Sequence, residues 1–182
     1  FHQNTDIWRV AAPMDGPQWG TFTIGGAWLC THLWEHYLFS GDREFLKDVY
    51  PVMRGCVEFF LDFLAEHPKC GWLVTKPSTS PENFPARPGN DAFYDEVTAW
   101  MSPGTTICAG STIDIQILND LFGYVAQAAD ILGIDPEFKD KVLDARRHLA
   151  PMQIGRKGDL QEWLEDWEQK EKNHRQISVV IG

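Results

Sequence analysis

Thr23-Ile24-Gly25-Gly26-Ala27-Trp28-Leu29-Cys30-Thr31-His32-Leu33-Trp34-Glu35-His36-Tyr37-Leu38-Phe39 is the stretch on which the fold turns. It holds no proline, and Ile24, Ala27, Leu29, Cys30, Leu33, Trp34 and Leu38 recur too densely to form one narrow stripe. That pattern predicts a helix buried on several sides. Gly41 stops it, and Asp42 caps a second helix over Arg43 to Tyr50. Pro51 suits the first turn of a further helix to about Glu66, with Val52, Cys56, Phe60, Phe63 and Leu64 as its stripe. Trp72-Leu73-Val74-Thr75 reads as short and extended. Ser111 with Asp114 reads as a capping box for a helix that turns Leu118, Leu121, Val125, Ala128 and Leu132 inward and ends at Gly133. Asp135-Pro136 opens the next helix, with Phe138, Val142, Ala145 and Leu149 inward. Helix follows helix with no βαβ alternation, so the expected fold class is all-α, made of antiparallel helical hairpins. Apolar faces this broad suit a ring of hairpins better than a two-layer packing, with the long loops gathered at one end.

The chain has 182 residues, enough for one core, and no linker or low-complexity tract divides it. One domain over 1–182 is expected, with no second domain. A net charge of −10 argues against nucleic acid and against an anionic membrane surface. No apolar run reaches the length of a membrane-spanning helix. No charged segment followed by an apolar one marks a signal peptide near Phe1. The cysteines Cys30, Cys56, Cys70 and Cys108 form no C-x-x-C pair, so a thiolate metal or redox motif is not expected.

Residues 76–110 are rich in Pro, Gly, Ser, Thr and Asn, and carry Phe84, Phe93, Tyr94 and Trp100. A loop of that length is a functional candidate. Within it lies Ser78-Thr79-Ser80-Pro81-Glu82-Asn83. Pro81 fixes its own φ and biases Ser80 toward an extended backbone, so Glu82 sits on a stiffened loop. A carboxyl held at a defined place among tryptophans suits a general acid acting on a sugar. The plainer reading is a turn whose polar side chains cap a neighbouring helix. His2, Asn4, Asp6 and Trp8 make a polar cluster with one aromatic plate, as sugar sites do. Gln161 to Trp167 combines three carboxylates with two indoles, and reads equally well as a solvated acidic turn or as part of a site. Arg175 could fix a sugar hydroxyl or a carboxylate through its planar fork. His32-Leu33-Trp34-Glu35-His36 spells H-x-x-E-H, the spacing of a helical zinc pair. The same strip, with Trp28, could instead line a sugar cavity.

Four runs taken together resemble one family: Asn4-Thr5-Asp6-Ile7-Trp8-Arg9; Gly25-Gly26-Ala27-Trp28-Leu29 continuing to His36-Tyr37; Ser80-Pro81-Glu82-Asn83; and Leu160-Gln161-Glu162-Trp163. They are similar to the catalytic domain of glycoside hydrolase family 95, inverting α-L-fucosidases of which some act on α-L-galactosides. The resemblance implies an (α/α)6 barrel, of which this chain would be about half, with the remainder of the barrel missing. It implies Glu82 as the general acid, with Asn4, Asp6, Trp8 and Arg175 as sugar contacts and Trp28 and Trp163 as less direct walls. It implies a fucosylated glycan as substrate and no cofactor or metal. The family's water-holding asparagines and the aspartate of a later Gln-Ile-Asp-Gly-Asn-Phe-Gly-like run are not found here. Asp166 is not expected to replace that aspartate. Where the family often has histidines, the chain has Gln3 and Gln176, and its pattern is lost after Ser178. Two other readings stand beside this one: a carbohydrate-binding remnant without catalysis, and a zinc peptidase using His32, Glu35 and His36.

Overall fold

The computed structural model describes residues 8–10, 22–80, 83, 85 and 107–169. They are largely helical. The elements in chain order are α1 (Gly25–Ser40), α2 (Arg43–Phe63), β1 (Leu64–Glu66), β2 (Leu73–Thr75), β3 (Ser78–Thr79), β4 (Ile107–Cys108), α3 (Thr112–Leu132) and α4 (Pro136–His148). The chain divides into two units. The first takes residues 23–76 and 114–151; the second takes the described parts of 2–22, 77–113 and 152–182.

In the first unit, Gly41 ends α1 in the left-handed region (φ 64°), its N–H donating to the Tyr37 carbonyl at 2.7 Å. Glycine reaches that conformation without a Cβ clash. Asp42 then caps α2 by accepting from the Phe45 N–H at 3.0 Å. α1 packs on α2; Ala27, Cys30 and Trp34 are buried on the first helix, and Leu46, Met53, Val57 and Phe60 on the second. Trp34 also stacks on Tyr124 of α3, with ring centroids 5.4 Å apart and planes 12° from parallel. On α3, Leu118, Leu121, Phe122, Val125 and Ala128 are fully buried, and Gly133 terminates the helix at φ 72°.

Four sequence expectations change. α1 is not buried on several sides: Leu29 and Leu38 are exposed along with Trp28 and Phe39. Beyond Gly25 in the first turn, its buried residues form a 27–30–34 stripe, the 3–4 spacing of one helical face. α2 does not break at Pro51; one helix runs through it. Its buried residues Leu46, Tyr50, Met53, Val57 and Phe60 straddle Pro51 at helical spacing, so one continuous buried face overrides the missing N–H. The helix also stops before Leu64. Leu64–Glu66 pairs antiparallel with Leu73–Thr75 across a turn in which Gly71 takes φ 72°. Finally, Asp135 precedes α4 in the left-handed region, and its side chain makes no cap. Its carboxylate accepts from the Tyr50 hydroxyl at 3.1 Å, and Arg54 Nε lies 3.0 Å away with its N–H off the hydrogen-bond line. Burial, and then the Asp135 charge, push the Tyr50 phenol up to about 12. Arg54 also covers the Phe138 ring at 4.7 Å, which joins α2 to α4.

Pro51 is exposed. Pro51→Ala is therefore expected to stabilise the protein by about 1–2 kcal/mol, because a proline inside a helix costs ~3 kcal/mol and the stiffer unfolded chain offsets only part of that. Thermal melting of the full-length protein checks it, and a lowered midpoint would show that α2 needs the ring.

No helix among the described residues is long and apolar enough to cross a membrane.

Candidate active site

The second unit is built on polar groups. β3 pairs antiparallel with β4, setting Ser78 opposite Cys108 and Thr79 opposite Ile107. The run Ser78-Thr79-Ser80 is buried along its length. Buried hydroxyls need partners, and each serine has them. Ser78 Oγ donates to Ser111 Oγ at 2.8 Å and accepts from the Ser111 N–H at 3.0 Å. Ser80 Oγ donates to Glu162 Oε1 in a short bond.

Asn83, 1% exposed, donates from Nδ2 to the other oxygen, Glu162 Oε2, at 2.7 Å. Glu162 is itself only 7% exposed. Its own backbone is fixed from below. The Thr112 N–H, in the first residue of α3, donates to the Glu162 carbonyl at 3.0 Å, and the Thr112 hydroxyl donates to the Gln161 carbonyl at 2.5 Å. Pro85 forms an isolated antiparallel bridge with Gln169.

The Gln161–Trp167 segment is thus neither a helix nor a solvated turn at Glu162 and Trp163. Gln161 N–H donates to the Gln153 carbonyl at 2.9 Å, and Gln153 Nε2 donates to the Leu164 carbonyl at 3.0 Å. Asp166 closes the turn below: its Oδ2 accepts from the Arg156 N–H at 3.1 Å. A Cβ at Gly155 would stand 2.8 Å from Asp166 Oδ1, so a larger residue there would have to displace that carboxylate. Asp166 therefore shapes a turn. Glu168 pairs with both Lys157 and Arg156 on the surface, and those two bonds lower its pKa from the ordinary carboxylate value.

The positions expected to touch a sugar fall as follows. Glu82, Asn4, Asp6 and Arg175 lie outside the described residues. Trp8 is 76% exposed. Trp28 is half exposed on α1, its ring edge-on to His32 at 5.5 Å, and belongs to the first unit. Trp163 belongs to the second unit and is 1% exposed, with its indole 6.2 Å from that of Trp167. Its Nε1, like Gln161 Oε1, is buried without a hydrogen-bond partner among the described residues. The imidazoles of the H-x-x-E-H pair lie against aromatic rings, His32 on Trp28 and His36 on Phe45 at 4.2 Å. Among the described residues no three His, Cys, Asp or Glu side chains gather as a metal-holding group.

Sequence reasoning missed Glu162 as an individual residue. The acidic run around it reads as surface, and its donors Ser80 and Asn83 are far away along the chain. The one available signal is that Glu162 falls inside one of the four shared runs.

A family model described as the glycosyl hydrolase family 95 catalytic domain matches residues 1–182. The chain is 39% identical over 184 residues to a protein of Arabidopsis thaliana named Alpha-L-fucosidase 2, an alignment covering 100% of the chain and 20% of that protein. It is 30% identical over 186 residues to a protein of Aspergillus niger named Probable alpha-fucosidase A, covering 100% of the chain and 21% of that protein. The chain spans about a fifth of the length of these relatives.

Proposed function

Because this chain belongs to glycosyl hydrolase family 95, as part of that family's catalytic domain, we propose that the protein carrying it hydrolyses terminal α-L-fucosides with inversion. The observation that carries the reading is the family match along residues 1–182, which includes Glu82. The names of the two relatives support the fucoside as substrate.

Glu82 is the general acid in this reading. Its carboxyl proton passes to the glycosidic oxygen as the bond to the anomeric carbon breaks, and the aglycone leaves as a neutral alcohol. A water attacks the opposite face of the ring and gives its proton to a base. Such an acid must be protonated at working pH, which a poorly solvated site favours. Asn4, Asp6, Trp8 and Arg175 contact the sugar, with Trp28 and Trp163 as outer walls. The residues that hold and activate the water come from sequence beyond these 182 residues, and the helices form part of an (α/α)6 barrel. The substrate is a fucosylated oligosaccharide or glycan, with α-L-galactosides as a second possible class.

Proton NMR of the full-length protein acting on a fucosyl oligosaccharide tests this. β-L-Fucose is expected as the first product, with the α anomer growing later by mutarotation. Initial α-L-fucose would overturn inversion, and no release of fucose or galactose would overturn the activity.

A further inference from the structure

We infer that Glu162 is a positioning residue that holds the acid-bearing loop at both of its flanks. The inference rests on the reading of Glu82 as the acid. Ser80 and Asn83 enclose Pro81-Glu82 in the chain, and each donates to a different oxygen of the one Glu162 carboxylate. All three side chains are buried. Only Pro81 and Glu82 separate the two clamped residues along the chain. Pro81 removes one backbone torsion from the short span between them.

The clamp has a fixed base. Glu162 and its neighbour Gln161 present their carbonyls to Thr112 at the start of α3. The carboxylate is therefore anchored through its own backbone while it ties down the loop. Its chemistry suits the task. A carboxylate offers acceptors on both oxygens, whereas an amide of the same shape offers one acceptor and one donor group. Glutamine at 162 would fill the same space, but with its one oxygen taken by Asn83 its amide N–H must face Ser80 Oγ, which reverses that bond and replaces two charge-assisted ties with neutral ones. Proton donation depends steeply on placement, and a 1 Å displacement can cost about 10²-fold in rate.

A residue that aims a general acid has a signature that a merely structural residue lacks. Leaving groups that need a proton suffer from its loss, and those that leave without one do not. In the full-length protein, Glu162→Gln is expected to lower kcat on a fucosyl oligosaccharide by about 10- to 100-fold with KM within roughly threefold. On α-L-fucosyl fluoride, whose leaving group needs little protonation, the loss should stay within about threefold. An equal fall on both substrates, or no fall on either, would overturn the inference. Should Glu162→Gln fail to fold, Ser80→Ala decides the matter. It removes one tie and little volume, and a smaller loss with the same substrate dependence is expected. An unchanged ratio of the two rates in Ser80→Ala would overturn it. Glu82→Gln, run in parallel, separates the two readings. If that variant discriminates between the substrates and the Glu162 and Ser80 variants do not, only the clamp fails. If Glu82→Gln does not discriminate, the assignment of the acid fails and the clamp with it.

Discussion

Glu82→Gln in the full-length protein is expected to lower kcat/KM on a fucosyl oligosaccharide by about 10³-fold, within the 10²–10⁴ range that general acid catalysis contributes. That corresponds to about 4 kcal/mol of lost transition-state stabilisation at 1.36 kcal/mol per tenfold. The glutamine keeps the shape of the side chain and removes the proton it would deliver. The aglycone would then depart as an alkoxide, whose charge the site has no proton to quench. With fluoride as leaving group this difficulty is largely absent, so the loss should shrink to less than about tenfold. The acidic group responsible for the alkaline limb of the kcat/KM profile should disappear in the variant, since that limb reports the acid of the free enzyme. A variant as active as the parent on the oligosaccharide would remove Glu82 from the chemistry.

The largest effect on stability is expected at Phe122. Its side chain is fully buried on α3, among Leu118, Leu121 and Val125 of the same helix. Phe122→Ala is expected to cost about 3–5 kcal/mol, from lost transfer free energy and from the cavity left by incomplete collapse. Ile131, on the same helix but 37% exposed, serves as the control. Ile131→Ala should cost less than about 1–2 kcal/mol, since much of that side chain already meets water. Denaturant unfolding of the full-length protein compares the two, and equal losses would contradict the burial assigned to Phe122.

Much of the helical framework could be read from local pattern, because local physics decides it. Gly41 supplies the left-handed stop, Asp42 the cap, and Leu118, Leu121, Val125 and Ala128 the buried face of α3. Pro51 misled because propensity is a weak preference and a buried stripe on both sides outweighs it. Leu64–Glu66 misled because its conformation is set by pairing with Leu73–Thr75, which no helical periodicity reports. The exposure of Leu29 and Leu38 could not be foreseen, since an apolar residue does not state whether a partner faces it. Around the site, Ser80-Pro81-Glu82-Asn83 stood out as a short run, while the role of Glu162 depended on residues that approach only after folding. A carboxylate amid Glu165, Asp166 and Glu168 looks like solvated surface until its donors are known.

The ladder between Ser78–Thr79 and Ile107–Cys108 has one more consequence. It ties together the two ends of the segment running from Ser80 to Thr106, so the entropy of closing that excursion is spent at its base. Closure entropy rises only logarithmically, by about 0.6 kcal/mol for each doubling of length. Insertions or deletions beyond Pro85 should therefore be tolerated by the scaffold. Chains of different length between Pro85 and Thr106 can share the same register at the base of the excursion.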